Sequence, residues 1–299
     1  MSDARRCPAP ALPRRAAAAT VAAVTAASVT AAAVTVLAAV AASAMAAAAG
    51  PPEPEPEVMI YAAASLRDAL ETLAPACGRA AGARLAFNFA GSNDLARQIM
   101  AAGRADLFLS ADEEWMDRVE AGGFVEPGSR RALLANHLAV IARRDADFAA
   151  VDGARTLLSP AIRRLALADP DAVPAGRYAR AWLQSAGVWD AVAPRVLPAL
   201  DVRAALAAVE SGAAEAGVVY RTDAALARTV QVVYEVPAGE GPRISYPLAV
   251  LRGRPHTAEA RRVAVCFAGP GAAAVFARFG FIVTAAAPDA DGPVTAAAP

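Results

Sequence analysis

Two serines stand at matching places in the chain. Ser65 follows the apolar stretch Val58–Ala63 and precedes residues with helical periodicity, and Ser92 holds the same position after Phe89-Ala90-Gly91. A serine at such a junction presents its hydroxyl together with the unpaired N–H groups of a helix's first turn. Taken singly it reads as an ordinary helix N-cap. Two at equivalent junctions point further, because in open α/β sheets these junctions lie at the carboxyl ends of strands, where ligands bind. Three later positions offer the same chemistry. Ala175 and Gly176 open a helix after the turn Asp169-Pro170-Asp171-Ala172-Val173-Pro174, so their N–H groups lack helical partners. Asp201-Val202-Arg203 opens another helix, with Asp201 in the N-cap place and the Val202 N–H free. Tyr220 closes the strand-like AGVVY with a phenol that can donate, although alone it would read as a strand-end tyrosine.

Ser65, Ser92, Ala175, Val202 and Tyr220 all donate hydrogen bonds without bringing formal charge. Such a set suits a fully deprotonated oxyanion, which offers only lone pairs, and penalises a ligand that keeps a proton needing an acceptor. Hydrogen bonds to a charged group contribute about 1.5–3 kcal/mol each. Five to seven of them offset dehydration and leave roughly micromolar to nanomolar affinity.

Enzyme signatures are missing. The sequence holds no G-x-S-x-G, H-E-x-x-H or C-x-x-C, and no G-x-G-x-x-G after a strand. All 29 cations are Arg, which excludes Lys-based Schiff-base chemistry and a phosphate-loop lysine. The two histidines, His137 and His256, read as a structural or surface residue and a loop residue, and provide no metal cluster. With 29 acidic side chains against those cations, the chain is no nucleic-acid-binding polycation and no disordered acidic chain.

The elements that must position these residues occupy the middle of the sequence. Residues 1–50 read as a secretory signal: Arg5, Arg6, Arg14 and Arg15 precede an uncharged, Ala-rich run from Ala16 to Gly50 that ends in small residues. A retained membrane anchor is the rival interpretation of that run. Residues 51–57 are a Pro/Glu spacer, and 284–299 a low-complexity, disordered tail. Without the leader the chain carries 25 basic against 28 acidic residues, about −3, so no net charge draws in an anion. From Val58 to Val283, short apolar runs alternate with helical stripes, the mark of α/β architecture. One series runs β-α-β-α-β-α to Ala121, and a second begins with a strand at His137. This predicts two α/β lobes with a ligand in the cleft between them, the first built from 58–135 and 246–283 and the second from 136–245. Trp115, Trp182 and Trp189 fall at helical positions and read as lobe core, while Cys77 and Cys266 are either buried thiols or a disulfide.

Six strings, VMIYAAASLRDAL, FAGSNDLARQI, ADLFLSADEEWMD, LADPDAVPAGRYA, DVRAALAAVESGAAEAGVVYRTDA and YPLAVL, occur in an order and spacing that resembles the periplasmic molybdate-binding proteins of molybdate ABC transporters. The resemblance covers the whole folded body. It implies a two-lobed periplasmic-binding-protein fold of the second type that closes on molybdate or tungstate, with no cofactor and no catalysis. Carried over position by position, Ser65 and Ser92 bind oxygens through hydroxyl and N–H, Ala175 and Val202 through N–H, and Tyr220 through its hydroxyl, so that molybdenum is held as its oxyanion. It further implies a periplasmic monomer that docks on an inner-membrane permease and meets no nucleic acid. Rival readings are a receptor for sulfate or another small oxyanion, an exported hydrolase with Ser65 or Ser92 as nucleophile, and a membrane-anchored structural domain.

Overall fold

The computed structural model describes residues 55–146 and 153–284. The expected leader at 1–50, residues 51–54 of the spacer and residues 285–299 of the tail lie outside the described residues. The spacer's last residue, Glu57, already belongs to the first strand, where it pairs with Arg84 on the neighbouring strand.

Two sheets organise the body. The first has six strands in the order β11-β4-β10-β3-β1-β2. Its parallel part consists of β1 (Glu57–Ala63), β2 (Arg84–Ala90) and β3 (Leu107–Leu109), each followed by a helix. A 3-10 turn at Ala64–Leu66 leads from β1 into α1 (Arg67–Ala81), α2 (Ser92–Ala102) follows β2, and α3 (Glu113–Ala121) follows β3. Gly82 and Gly103 end α1 and α2 with left-handed φ of 62° and 54°, a conformation glycine adopts without a Cβ penalty. β4 (Arg131–Asn136), β10 (Ile244–Val250) and β11 (Ile282–Val283) complete the sheet in antiparallel pairings.

The second sheet has five strands in the order β7-β6-β8-β5-β9. They are β5 (Leu138–Arg143), β6 (Leu165–Ala168), β7 (Val196–Ala199), β8 (Ala216–Tyr220) and β9 (Val230–Glu235). β6 runs parallel to β7 and β8, while β5 is antiparallel to β8 and β9. Helices α4 (Pro174–Ser185) and α6 (Val202–Glu210) pack on β6 and β8, with the short α5 (Trp189–Val192) between them in sequence and α7 (Arg221–Leu226) after β8. The chain crosses between sheets twice, through His137 between β4 and β5 and through the segment between β9 and β10. Asn136 and Ile244 sit in strands of the first sheet, a residue or two from the expected breaks.

Among the elements that were not legible as such, which include α5 and β11, three show why. β4 is RALLAN, whose Ala and Leu favour helix, and its pairing with β10 decides the matter. β7 is VLPA, four residues with a proline that only an edge strand tolerates, and β7 is at an edge. α7 is a bare six residues directly after Tyr220.

After β10 the chain forms α8 (Thr257–Ala268) and α9 (Pro270–Arg278), which pack with α1. Cys77 on α1 and Cys266 on α8 are joined by a disulfide with Cα atoms 5.6 Å apart, so the open alternative resolves to the bonded form. Trp115 and Trp182 are buried, and Trp189 is half-buried against the core. Among the described residues no single helix is long and apolar enough to cross a membrane.

Candidate functional site

The carboxyl ends of β1, β2 and β8 and the segments that follow β3, β6 and β7 converge on one small cavity. Ser65, Ser92, Ala175, Val202 and Tyr220 all line it, and the rest of its wall is Ala, Gly, Val, Pro and the side of Asp201. All five are buried, each at most 4% exposed. Every one of them comes from the start of a helix or the end of a strand, for reasons set by local structure.

Ser65 sits inside the 3-10 turn that starts the first helical segment, and Ser92 is the first residue of α2 after Gly91. Neither serine caps its helix by side chain, contrary to the ordinary reading of such positions. The Ser92 Oγ instead accepts the Ala111 N–H at 2.9 Å, and the Ser65 Oγ lies 3.1 Å from the Tyr246 hydroxyl. Pro174 takes the first position of α4, where its missing N–H loses nothing, so Ala175 and Gly176 supply the unpaired donors of that turn. Asp201 caps α6 as expected, with Oδ1 accepting the Ala204 N–H at 2.9 Å and the Val202 N–H left over.

Tyr220 is the most telling of the five. Its hydroxyl is buried and has no hydrogen-bond partner among the described residues. Burial, reinforced by neighbouring Tyr246, Tyr178, Asp112 and Asp223, holds its pKa well above the ordinary phenol range, so the group keeps its proton and remains a donor. The ring is fixed by an edge-on contact with Tyr246, centroids 5.8 Å apart.

Among the described residues, no Arg or His lines the cavity. Its positive character comes from the first turns at Ser65, Ser92, Ala175 and Val202, each carrying the partial positive end of a helix dipole. Guanidinium groups stand outside and join the two sheets' helices to each other. Arg203 on α6 reaches Asp68 on α1 at 2.5 Å, and Arg177 on α4 approaches Asp112 at 3.3 Å and also pairs with Glu114 on α3. The Trp115 indole N–H donates to the Ala172 carbonyl at 2.9 Å. Arg203 Nε also lies 2.5 Å from the buried Asp223 Oδ1, but off the N–H axis, so the two pair as charges without an aligned hydrogen bond. Burial raises the Asp223 carboxyl to about 7 against the opposing pull of Arg203.

A hydrolase would need a base beside one of the serines. Among the described residues, Ser65 and Ser92 meet a tyrosine hydroxyl and a backbone amide, and no histidine. Groups of three or more His, Cys, Asp or Glu placed to hold a metal ion are absent from the described residues. What sequence reasoning missed is Ala111 in the cavity wall and the tier behind that wall: Tyr246, Asn136 and the Asp68–Arg203–Asp223 cluster. Tyr246 lies within the string YPLAVL, but nothing local ties it to a serine 181 residues earlier.

Residues 58–282 match the family model described as bacterial extracellular solute-binding protein. The molybdate-binding protein ModA of Escherichia coli (strain K12) is 38% identical over 234 residues, covering 77% of this chain and 90% of that protein. ModA of Haemophilus influenzae is 34% identical over 200 residues, covering 66% of this chain and 79% of that protein. Among solved structures, the periplasmic molybdate-binding protein of Azotobacter vinelandii superposes with a TM-score of 0.68 at 22% identity, covering 76% of this chain and 100% of that one, a likeness of fold. With a cleft between two mixed sheets, a cavity walled by neutral donors and these relatives, the chain belongs to the bacterial extracellular solute-binding proteins.

Proposed function

We propose that the chain captures molybdate, and tungstate with it, in the periplasm and delivers it as a monomer to the permease of an ABC importer. The buried Tyr220 hydroxyl carries this reading: it lines a cavity in which no described residue accepts its proton and no described cation competes. A tetrahedral dianion satisfies that hydroxyl, the two serines and the free amides of Ala175 and Val202 at once. The name borne by the relatives at 38% and 34% identity supports the same guest. Residues 58–135 with 246–283 and residues 136–245 then act as two lobes that hinge at the paired crossings, and the guest stabilises the closed form by touching both. Arg203 and Arg177 hold that closed form from outside the cage, so the charges that latch the lobes do not compete for the anion.

A thermal-shift panel of molybdate, tungstate, sulfate and phosphate at matched ionic strength tests the reading, since a ligand bound only by the folded state raises Tm by mass action. Molybdate and tungstate raise Tm and phosphate does not. A phosphate shift equal to that of molybdate, or no shift with molybdate, would overturn it.

A further inference from the structure

Resting on the molybdate reading, we propose that Tyr246 and Asn136 are positioning residues that fix the direction of the Ser65 hydroxyl, committing its single proton to the cavity and occupying one of its two lone pairs, so that it favours an anion without a proton. The chain of donors begins at the backbone. The His137 N–H can only donate, and it bonds Asn136 Oδ1 at 2.9 Å, which settles the orientation of that amide. The Asn136 Nδ2 group therefore faces the other way with two protons, one for Thr222 Oγ1 at 2.9 Å and one for the Tyr246 oxygen at 3.3 Å. Having accepted from Asn136, Tyr246 directs its own proton to its remaining polar neighbour, Ser65 Oγ, 3.1 Å away. Ser65 is thereby an acceptor toward the protein and a donor toward the guest.

Ser92 reaches the same state by a shorter route, because the Ala111 N–H that it accepts at 2.9 Å can only donate. Both serine hydroxyls of the cage thus have their polarity imposed from behind, one by an amide directly and one through a relay of two side chains. A hydroxyl left to itself rotates to donate or accept as the guest requires. Deprived of that choice, Ser65 meets molybdate, which has only lone pairs, as a donor, and offers the remaining proton of hydrogen phosphate only the one lone pair that Tyr246 leaves. Tyr246 is 1% exposed and burial holds its pKa above the phenol range, so the relay keeps its proton.

Titrating molybdate and phosphate into the wild type and the variants Tyr246→Phe, Asn136→Leu, Ser65→Ala and Ser65→Ala with Tyr246→Phe tests the relay. Tyr246→Phe and Asn136→Leu each weaken molybdate binding by roughly tenfold and narrow the molybdate-to-phosphate ratio, because the freed Ser65 can turn. In the Ser65→Ala background, Tyr246→Phe changes molybdate affinity by less than about twofold, since it acts only through the deleted hydroxyl. Losses that simply add in the double variant, or an unaltered anion ratio in both single variants, overturn the relay while leaving molybdate binding by the wild type intact. A wild type that does not bind molybdate overturns the proposed function, and the relay with it.

Discussion

Tyr220 carries a phenol for which the described residues provide no partner. A buried hydroxyl left unsatisfied costs about 1–3 kcal/mol, so the unliganded protein bears a penalty that a guest removes. Tyr220→Phe is therefore expected to raise the stability of the unliganded protein by up to about 1 kcal/mol while weakening molybdate binding by about tenfold or more. Denaturant unfolding without ligand, set beside a titration, checks both signs; a variant that loses stability and keeps its affinity would refute the assignment. At this scale the five cavity residues were legible because each follows from a local rule. A helix start has spare amides, and a strand end faces the cleft. Tyr246 and Asn136 escaped because their roles arise from contacts spanning 181 and 110 residues, for which no local pattern exists.

Between the turn at Asp169 and the first turn of α4, Gly176 lets helix and strand end approach closely. A Cβ there would overlap the Ala168 carbonyl oxygen and come within 2.5 Å of that of Asp169. Backbone carbonyls at the end of β6 cannot yield as a flexible side chain would, so Gly176→Ala must push the start of α4 away, and the Ala175 N–H moves with it. Gly176→Ala is expected to lower stability by about 1–3 kcal/mol, as overpacking does, and to weaken molybdate binding by more than the stability loss accounts for. Thermal unfolding and titration of the same preparation separate the two effects; unchanged affinity would show that α4 does not hold the anion. Most elements were readable from periodicity because strands and helices alternate along the chain and each buries one face. β4 and β7 were not, since RALLAN and VLPA become strands only through neighbours that sequence windows do not contain.

Seen as one object, the protein is stapled where its chain is discontinuous. The Cys77–Cys266 bond spans 189 residues and links the opening and closing segments of the first sheet's side. A cross-link over so long a loop removes denatured-state entropy, so its reduction, or Cys77→Ser with Cys266→Ser, is expected to lower unfolding stability by about 2–5 kcal/mol. Neither cysteine lines the cavity, so molybdate affinity is expected to change by less than about twofold at temperatures where the reduced protein stays folded. Paired unfolding curves with and without reductant, each followed by titration, decide it; equal stabilities would refute the staple.

The strand order of the first sheet has a consequence for how the molecule comes into being. β10 lies between β3 and β4 and is the sole bridge joining them, yet it arrives after all five strands of the second sheet. During synthesis or export, the inserted sheet can therefore finish while β3 and β4 still wait with open edges, sticky to any neighbouring strand. Completion of the first sheet thus awaits roughly the last fifth of the polypeptide, and a nascent chain halted before Ile244 would present unpaired edges in place of a finished sheet.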